Sequence, residues 1–364
     1  MTLRTSLLGL PLVAVAAAVA TGAALLPSTA SAAMPREQRT PAVVYNPDLD
    51  HYLALWIEDR GLGTDIISKR LFTNGLPQGG PKRNGTAVIS NAYPPNVGRY
   101  NPAIAYNRDR QEYFLVWSEF APGEGQNVMG VRVSTAGFAR SAPRTLAGGP
   151  GDQTHPAIAY NPVDQSYLLV WEDNTRDIDD IWGLRVRSNG IPFGPTLALV
   201  QGHANAQDPT VARRGDGFLL AWVDDRDGKS NIYGRRLGAN GLPVGGTQGM
   251  EYVMASGRSD VFSPALDPSS GTLVYNVYDP LTGLDILGLT VYGVGTTLGS
   301  RAVGIAVPAA DQAGPAAANN AARGETLVVY SDNRSGEFDL YAVRVKSGRP
   351  AGRDYPVMSD GFAP

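Results

Sequence analysis

The sequence contains no cysteine at all. This absence excludes disulfides, thiolate metal sites and a cysteine nucleophile, and it also excludes lipidation at a lipobox cysteine. A fold outside the cell would therefore have to be stabilised by the burial of its core alone. The mature chain that we predict below, of about 330 residues, is long enough to bury such a core.

Strong net charge is also missing, because the whole chain carries a formal charge of only −3 at pH 7. No basic run is interleaved with aromatic residues, so we predict no nucleic-acid partner. The three histidines do not have the spacing of a zinc site. The acidic stretches 173–180 and 225–228 suggest calcium, but neither matches a twelve-residue calcium loop. We therefore predict no metal and no cofactor, with calcium as the weaker alternative.

Long apolar runs are absent except for one at the N-terminus, which spans residues 7–26. It follows Arg4 and ends before Ala30-Ser31-Ala32, a pattern typical of a secretory signal peptide cleaved after Ala32. We predict a signal peptide over residues 1–32, a flexible arm over 33–40 and one domain over 41–364. The protein is then secreted, extracellular or cell-wall associated, and no membrane partner is predicted.

An internal repeat of 51 to 61 residues organises the rest of the chain. Its copies begin at Pro41, Pro102, Pro156, Pro209, Pro264 and Pro315. Each copy holds short apolar and aromatic runs bounded by Gly, Pro, Asn and Asp, which predict antiparallel strands joined by short loops. Four strands per copy predict an all-β fold, a β-propeller of four-stranded antiparallel blades. The repeat count gives six blades and leaves a seventh, degenerate blade open. A stacked solenoid is the main competitor.

The residue before each repeat proline should lie at one mouth of the central channel, because the first strand of a propeller blade lines that channel. These six residues are Thr40, Asn101, His155, Asp208, Ser263 and Gly314. A functional site usually breaks the symmetry of a repeat instead of obeying it. We therefore predict binding at this mouth by Asn101, His155, Asp208 and Ser263. A Ser–His–Asp triad is not predicted, because Ser263 is two blades from His155.

A second set of candidates follows the second strand, where an acidic residue precedes an arginine in several copies. The pairs are Asp173 with Arg176, Asp224 with Arg226, and Asp332 with Arg334. These side chains could surround a ligand on one face. Alternatively, each aspartate bonds its own turn and each arginine pairs locally, which the repetition of the motif favours. No catalytic residue is predicted from these loops.

The repeat resembles a known family through three of its segments: Pro-Ala-Ile-Ala-Tyr-Asn-Pro at 156–162, Tyr-Leu-Leu-Val-Trp at 167–171 and Asp-Ile-Trp-Gly-Leu-Arg at 180–185. With the export signal and the lack of cysteine, the chain is similar to the bacterial dispase autolysis-inducing protein family. That resemblance implies a seven-bladed propeller that is not an enzyme. It also implies a secreted metalloprotease as partner and cross-linking through glutamines by a transglutaminase.

For cross-linking, the resemblance points first to Gln38 on the predicted arm, and then to Gln78 and Gln312 in predicted loops. A monomer is expected before cross-linking. The alternative function is a glycan-binding or glycoside-hydrolysing propeller that uses the channel mouth. An open acidic pocket with two free carboxylates about 5–10 Å apart would favour this alternative. A mouth closed by bonds among Asn101, His155 and Asp208 would exclude it.

Overall fold

The computed structural model describes residues 38–59, 63–82, 86–88, 97–121, 123, 125–176, 178–202, 205–245, 251–267, 270–291, 302–307 and 310–359. The predicted signal peptide and residues 33–37 of the predicted arm lie outside this set. The arm does not extend to residue 40 as predicted, because the first strand already begins at Gln38. Within the described residues, no helix is long and apolar enough to cross a membrane.

The described residues contain 25 β-strands in six antiparallel sheets, and each sheet is one blade. The first blade contains β1 (Gln38–Asn46), β2 (His51–Asp59), β3 (Thr64–Leu71) and β4 (Thr86–Val88). The second contains β5 (Arg99–Asn107), β6 (Glu112–Ala121), β7 (Gly125–Ser134) and β8 (Arg144–Ala147). The third contains β9 (Gln153–Asn161), β10 (Ser166–Asp173), β11 (Asp180–Arg187) and β12 (Pro192–Val200).

The remaining three blades repeat this order. The fourth contains β13 (Ala206–Arg214), β14 (Gly217–Asp224), β15 (Asn231–Leu237) and β16 (Glu251–Ala255). The fifth contains β17 (Val261–Leu266), β18 (Thr272–Asp279), β19 (Gly283–Thr290) and β20 (Val303–Ala306). The sixth contains β21 (Gln312–Asn320), β22 (Glu325–Asp332), β23 (Asp339–Lys346), β24 (Arg349–Pro350) and β25 (Tyr355–Met358).

The blades form a closed ring, because each first strand contacts the first strands of its two neighbours and β1 contacts both β5 and β21. The predicted six-bladed propeller is confirmed. The seventh blade that the family resemblance implies is absent from the described part of the chain, whose sheets number six. Strand alternation places the start of each first strand and the loop after each second strand on one face, which we call the mouth face. The turns after the first and third strands lie on the opposite face.

Each first strand carries a β-bulge just before its repeat proline. The ladder register shifts there in all six blades. Proline cannot donate a backbone hydrogen bond, so the ladder is interrupted at that point. The preceding residue adopts a positive φ in every copy: 46° at Thr40, 49° at Asn101, 47° at His155, 49° at Asp208, 49° at Ser263 and 57° at Gly314. Because all six blades share this strained conformation, it belongs to the architecture and does not by itself mark a functional site.

The core is divided into six clusters of buried side chains, and each cluster lies between two neighbouring blades. The largest members are Trp56, Trp117 and Trp222, whose exposed fraction is 1 % or less. One of the clusters joins the first blade to the sixth. The ring therefore closes by packing and by a backbone hydrogen bond from Gln38 NH to Phe338 O, and no sheet in the described part of the chain combines strands from the two ends.

Buried Asn–Tyr hydrogen bonds add polar links between blades. Asn107 donates from Nδ2 to the Tyr167 hydroxyl of the next blade at 2.9 Å, and its Oδ1 accepts from the backbone NH groups of Asp109 and Arg110. We expect Asn107→Ala to lower the free energy of unfolding by about 1–3 kcal/mol, because it leaves buried partners unpaired. Urea unfolding measures this change. Asn189→Ala, which removes an exposed turn asparagine, is the control, and an equal loss in both variants would contradict the argument.

Candidate active site at the channel mouth

The imidazole of His155 lies between two carboxylates on adjacent blades. Its Nδ1 is 3.2 Å from Glu172 Oε2, and its Nε2 is 3.3 Å from Asp208 Oδ1. The bulges before Pro156 and Pro209 present His155 and Asp208 at the mouth, whereas Glu172 comes from β10. The exposed side-chain fractions are 40 % for His155, 26 % for Asp208 and 11 % for Glu172. The two more exposed groups are therefore the ones a ligand would meet first.

Glu172 is held in place by several donors. The Thr154 hydroxyl donates to its Oε1 at 3.1 Å, and the Asp208 backbone NH donates to its Oε2 at 3.1 Å. Glu172 was not among the residues predicted from the sequence. A signal was available, because the equivalent residue between the aromatic and the acidic position is Ile57, Ser118, Val223 or Ser331 in other blades. The third blade, with Glu172, is the one blade that has a charged residue at this position.

The other predicted mouth residues take different positions. The Ser263 backbone NH donates to Asp208 Oδ2 at 3.3 Å, and hydrogen bonds from both the backbone and the side chain of Ser263 partly offset the rise that burial causes in the pKa of Asp208. Among the described residues, no hydrogen bond joins Asn101 to His155 or Asp208. The mouth is thus not closed by the three-residue network that would have excluded an enzyme. Below it, the channel holds an open cavity of about 930 Å³ that is lined by the repeat prolines, by alanines and larger apolar side chains, and by Arg108, Arg213 and Arg214. His155 and Asp208 immediately precede two of the lining prolines and stand at its rim.

The pKa values of the two carboxylates are driven in opposite directions. Burial alone would raise the pKa of Glu172, but hydrogen bonds and the charge of His155 outweigh burial and lower it. For Asp208, burial and the nearby charge of Glu172 raise the pKa, and the positive charge of His155 only partly offsets them. The pKa of His155 itself is lowered by burial, but Glu172, Asp208 and Asp179 raise it to about 9. The imidazole is therefore protonated at neutral pH.

We expect His155 to make stability depend on pH. Its folded-state pKa of about 9 lies above the ordinary 6.5, so its stabilising contribution is complete below pH 6.5 and is lost as the pH rises through 9. Because 40 % of the side chain is exposed, screening reduces this contribution to about 1 kcal/mol. Urea unfolding of the wild type and of His155→Gln at pH 6 and pH 10 measures it. A difference between the two proteins that does not change with pH would contradict the prediction.

The same three residues are the group in the described part of the chain whose donor atoms could hold a metal ion. One donor atom of each of His155, Glu172 and Asp208 lies within 4.8 Å of the others. An imidazole with two carboxylates suits zinc better than calcium, which prefers oxygen ligands. The donors are already bonded to one another, so an ion would compete with the proton on His155.

The predicted loop pairs lie in local contacts. Thr175 NH donates to Asp173 Oδ1 at 3.0 Å, and Arg176 pairs with Asp180 at 2.5 Å. Arg226 Nε donates to Asp224 Oδ1 at 2.8 Å, and Arg334 Nε donates to Asp332 Oδ1 at 2.9 Å. Both arginines also stack on tyrosine rings, Tyr233 and Tyr341. These contacts are the local arrangement that the repetition of the motif favoured.

Two of the three predicted cross-linking glutamines are buried. Gln38 lies in β1 and Gln312 lies in β21, and neither has any exposed surface. The prediction of accessible glutamines at these two positions is therefore wrong, since a transglutaminase needs an exposed, extended acceptor. Gln78 lies in the half-buried turn after β3, where its backbone NH donates to Arg70 O.

No protein-family model matches the chain, and no curated protein sequence is significantly similar to it. Among solved structures, it is similar to an α-L-arabinofuranosidase from Lactobacillus brevis, with a TM-score of 0.50 and 14 % identity over 72 % of this chain and 96 % of that one. It is also similar to a Trypanosoma rangeli sialidase mutant with trans-sialidase activity, with a TM-score of 0.51 and 9 % identity over 84 % of this chain and 53 % of that one. At these identities the likeness concerns the fold alone.

The comparison corrects one prediction. A protein that is not an enzyme was expected, but both of these similar propellers are glycoside-processing enzymes. The expectation depended on the family resemblance and on the lack of a recognised catalytic motif, and it did not include Glu172. The resemblance to the dispase autolysis-inducing protein family, with its metalloprotease and transglutaminase partners, is not tested by these structures and stays a prediction. The same holds for secretion and for the monomeric state.

Proposed function

We propose that this protein binds a glycan at the mouth formed by His155 and Asp208 and hydrolyses a glycosidic bond there. The observation that carries the proposal is the carboxylate pair of Glu172 and Asp208, whose pKa values are shifted apart. Their donor atoms lie within 4.8 Å of each other, closer than the expected separation of about 5–10 Å, and both carboxylates contact His155. Glycoside hydrolysis needs one carboxyl group that retains a proton and one that is ionised.

Each residue has a role that follows from its surroundings. Asp208 is the more exposed carboxyl group and retains its proton to higher pH, so it donates that proton to the glycosidic oxygen as the bond to the anomeric carbon breaks. Ionised Glu172 stabilises the positive charge that develops on the sugar ring. Water then adds to the anomeric carbon and returns a proton to Asp208. His155 is a positioning residue that holds both carboxylates.

The charge of the mouth restricts the substrate class. Asp179 lies near the site, where its charge raises the pKa of His155. With Asp208 protonated, the ionised carboxylates of Glu172 and Asp179 outweigh the single positive charge of His155. A sugar that carries a carboxylate would be repelled by these groups, whereas a neutral sugar would not. A neutral glycan is therefore the proposed substrate, and a sialoside is disfavoured although a similar propeller is a sialidase.

A panel of glycosides tests the proposal. We expect the mature protein to release 4-nitrophenol or reducing ends from a neutral substrate, beginning with α-L-arabinofuranosides, and to leave a sialoside uncleaved. Binding to the same glycans is measured by calorimetry. Binding without cleavage would refute hydrolysis and retain only the glycan-binding half of the proposal. Neither binding nor cleavage across the panel would overturn the whole of it.

A further inference from the structure

Four consecutive blades expose a large apolar side chain at the same structural position. Each lies in the turn after the third strand, on the face opposite the mouth face. The residues are Leu76, Phe138, Ile191 and Leu242, with exposed fractions of 45, 58, 43 and 46 %. We call them the tip residues. In the sixth blade Arg349 stands at the corresponding turn, and the fifth turn lies outside the described residues.

The four turns share one geometry. In each, the backbone NH four residues before the tip donates to the tip carbonyl at 2.8 Å, and the glycine before the tip has a φ between 82° and 88°. Side-chain oxygens add to this: those of Asn74, Asn189 and Asn240 accept from the tip NH in three turns, and Ser134 Oγ does so in the second. The tips are therefore held rigidly, so that binding through them costs little conformational entropy.

Exposed arginines accompany the tips. Arg70, Arg187 and Arg236 lie at the ends of the third strands of the first, third and fourth blades. In the second blade, Arg110, Arg132 and Arg140 all pair with the single carboxylate of Glu112, which leaves an excess of positive charge. The net charge of −3 conceals this local positive charge. Apolar tips with cations beside them are the combination that binds the interface of an anionic lipid bilayer.

We propose that the tip residues and their arginines form a docking surface for an anionic lipid membrane. The apolar tips enter the headgroup region while the arginines contact lipid phosphates. The mouth with His155 then faces away from the membrane and stays open to a soluble glycan. Such a surface needs no membrane-crossing segment, so the lack of a second long apolar run in the sequence does not argue against it.

The apolar tip residues favour a membrane over a soluble polyanion as the ligand of this surface. A charged polymer would be bound by the arginines alone, and four equivalent apolar residues would have no role in that contact. The mouth face also exposes apolar side chains, but at positions that differ from blade to blade. They are Phe120, Ile178, Tyr278 and Leu281. This face carries exposed carboxylates such as Asp227 and Asp260, which anionic lipid would repel. The tip face also carries exposed carboxylates, such as Asp164 and Asp216, but exposed arginines lie at the strand ends beside its tip residues.

Co-sedimentation with lipid vesicles tests the proposal in the mature protein. We expect binding to vesicles of 30 % phosphatidylglycerol in phosphatidylcholine, and at least tenfold weaker binding to pure phosphatidylcholine. A variant with all four tip residues changed to serine should bind the anionic vesicles at least tenfold more weakly. The matched control changes the four apolar residues of the mouth face to serine and should bind like the wild type.

Three results would overturn the proposal. The first is no binding of the wild type to anionic vesicles. The second is equal loss of binding in the tip variant and in the mouth-face control. The third is a tip variant that keeps wild-type affinity for the vesicles. If the wild type and this variant also bind soluble dextran sulfate equally, the surface binds a polyanion instead of a membrane. Thermal unfolding of both variants shows that each is folded before its binding is compared.

Discussion

Replacing Asp208 with asparagine should lower kcat on a hydrolysed glycoside by a factor of about 10²–10⁴, the usual contribution of a positioned proton donor. An amide cannot supply the proton, whereas its size and its backbone NH bond to Glu172 are retained. KM should change by less than about threefold, because the interaction lost is made in the transition state. Steady-state kinetics on the best substrate of the panel measure both constants.

The control for this variant is Asp216→Asn, which changes an exposed aspartate in the turn between β13 and β14 on the opposite face. It should leave kcat unchanged. A kcat for the Asp208 variant within twofold of the wild type would remove Asp208 from the proposed mechanism. His155→Gln separates positioning from proton donation, because loss of the imidazole charge should move the pH profile of kcat and lower its maximum less than Asp208→Asn does.

The close approach of His155 to Asp208 could be predicted from the sequence, because it depends only on the repeat. Both residues precede a repeat proline, and consecutive copies become adjacent blades. The participation of Glu172 was harder to predict. Its contact with His155 depends on the bulge in β9, which interrupts the ladder between Ala157 and Thr154 and places Thr154 opposite Glu172. A strand assignment without that bulge would give a different register.

The burial of Gln38 where the ring closes could also not be predicted from the residues around it in the sequence. Gln38 follows a polar stretch and precedes the first repeat, which is typical of a flexible terminus. In the folded chain its NH donates to Phe338 O at 2.9 Å, and the Ser331 hydroxyl donates to its carbonyl at 3.0 Å. These partners are some 300 residues away, and only the closed ring brings them together.

Net charge likewise could not show how the charged residues are distributed over the two faces. The value of −3 sums carboxylates of both faces, such as Asp208 and Asp216, with arginines such as Arg70, Arg187 and Arg236 that lie on the face opposite the mouth. The alternating direction of the strands sorts these residues onto two faces. Composition does not report on which face a charged residue lies. A small net charge therefore excludes a uniformly basic protein but not a basic surface on one face.

Truncating Leu327 to alanine should lower the free energy of unfolding by about 2–5 kcal/mol, the usual cost of a buried leucine cavity. Leu327 is 1 % exposed and packs in the cluster that joins the sixth blade to the first. Leu169→Ala is the matched variant, because Leu169 is fully buried between the second and third blades. Equilibrium urea unfolding should give losses of similar size for the two.

The kinetics should nevertheless differ between these variants. The closing contacts join the two ends of the domain, so their loop-closure entropy is the largest in the fold and they form late. Leu327→Ala should therefore act almost entirely by accelerating unfolding, whereas Leu169→Ala should also slow folding. Stopped-flow chevrons measure the partition. A Leu327 variant that slows folding as much as the Leu169 variant does would show that the ring closes early, and that its terminal blades are part of the folding nucleus.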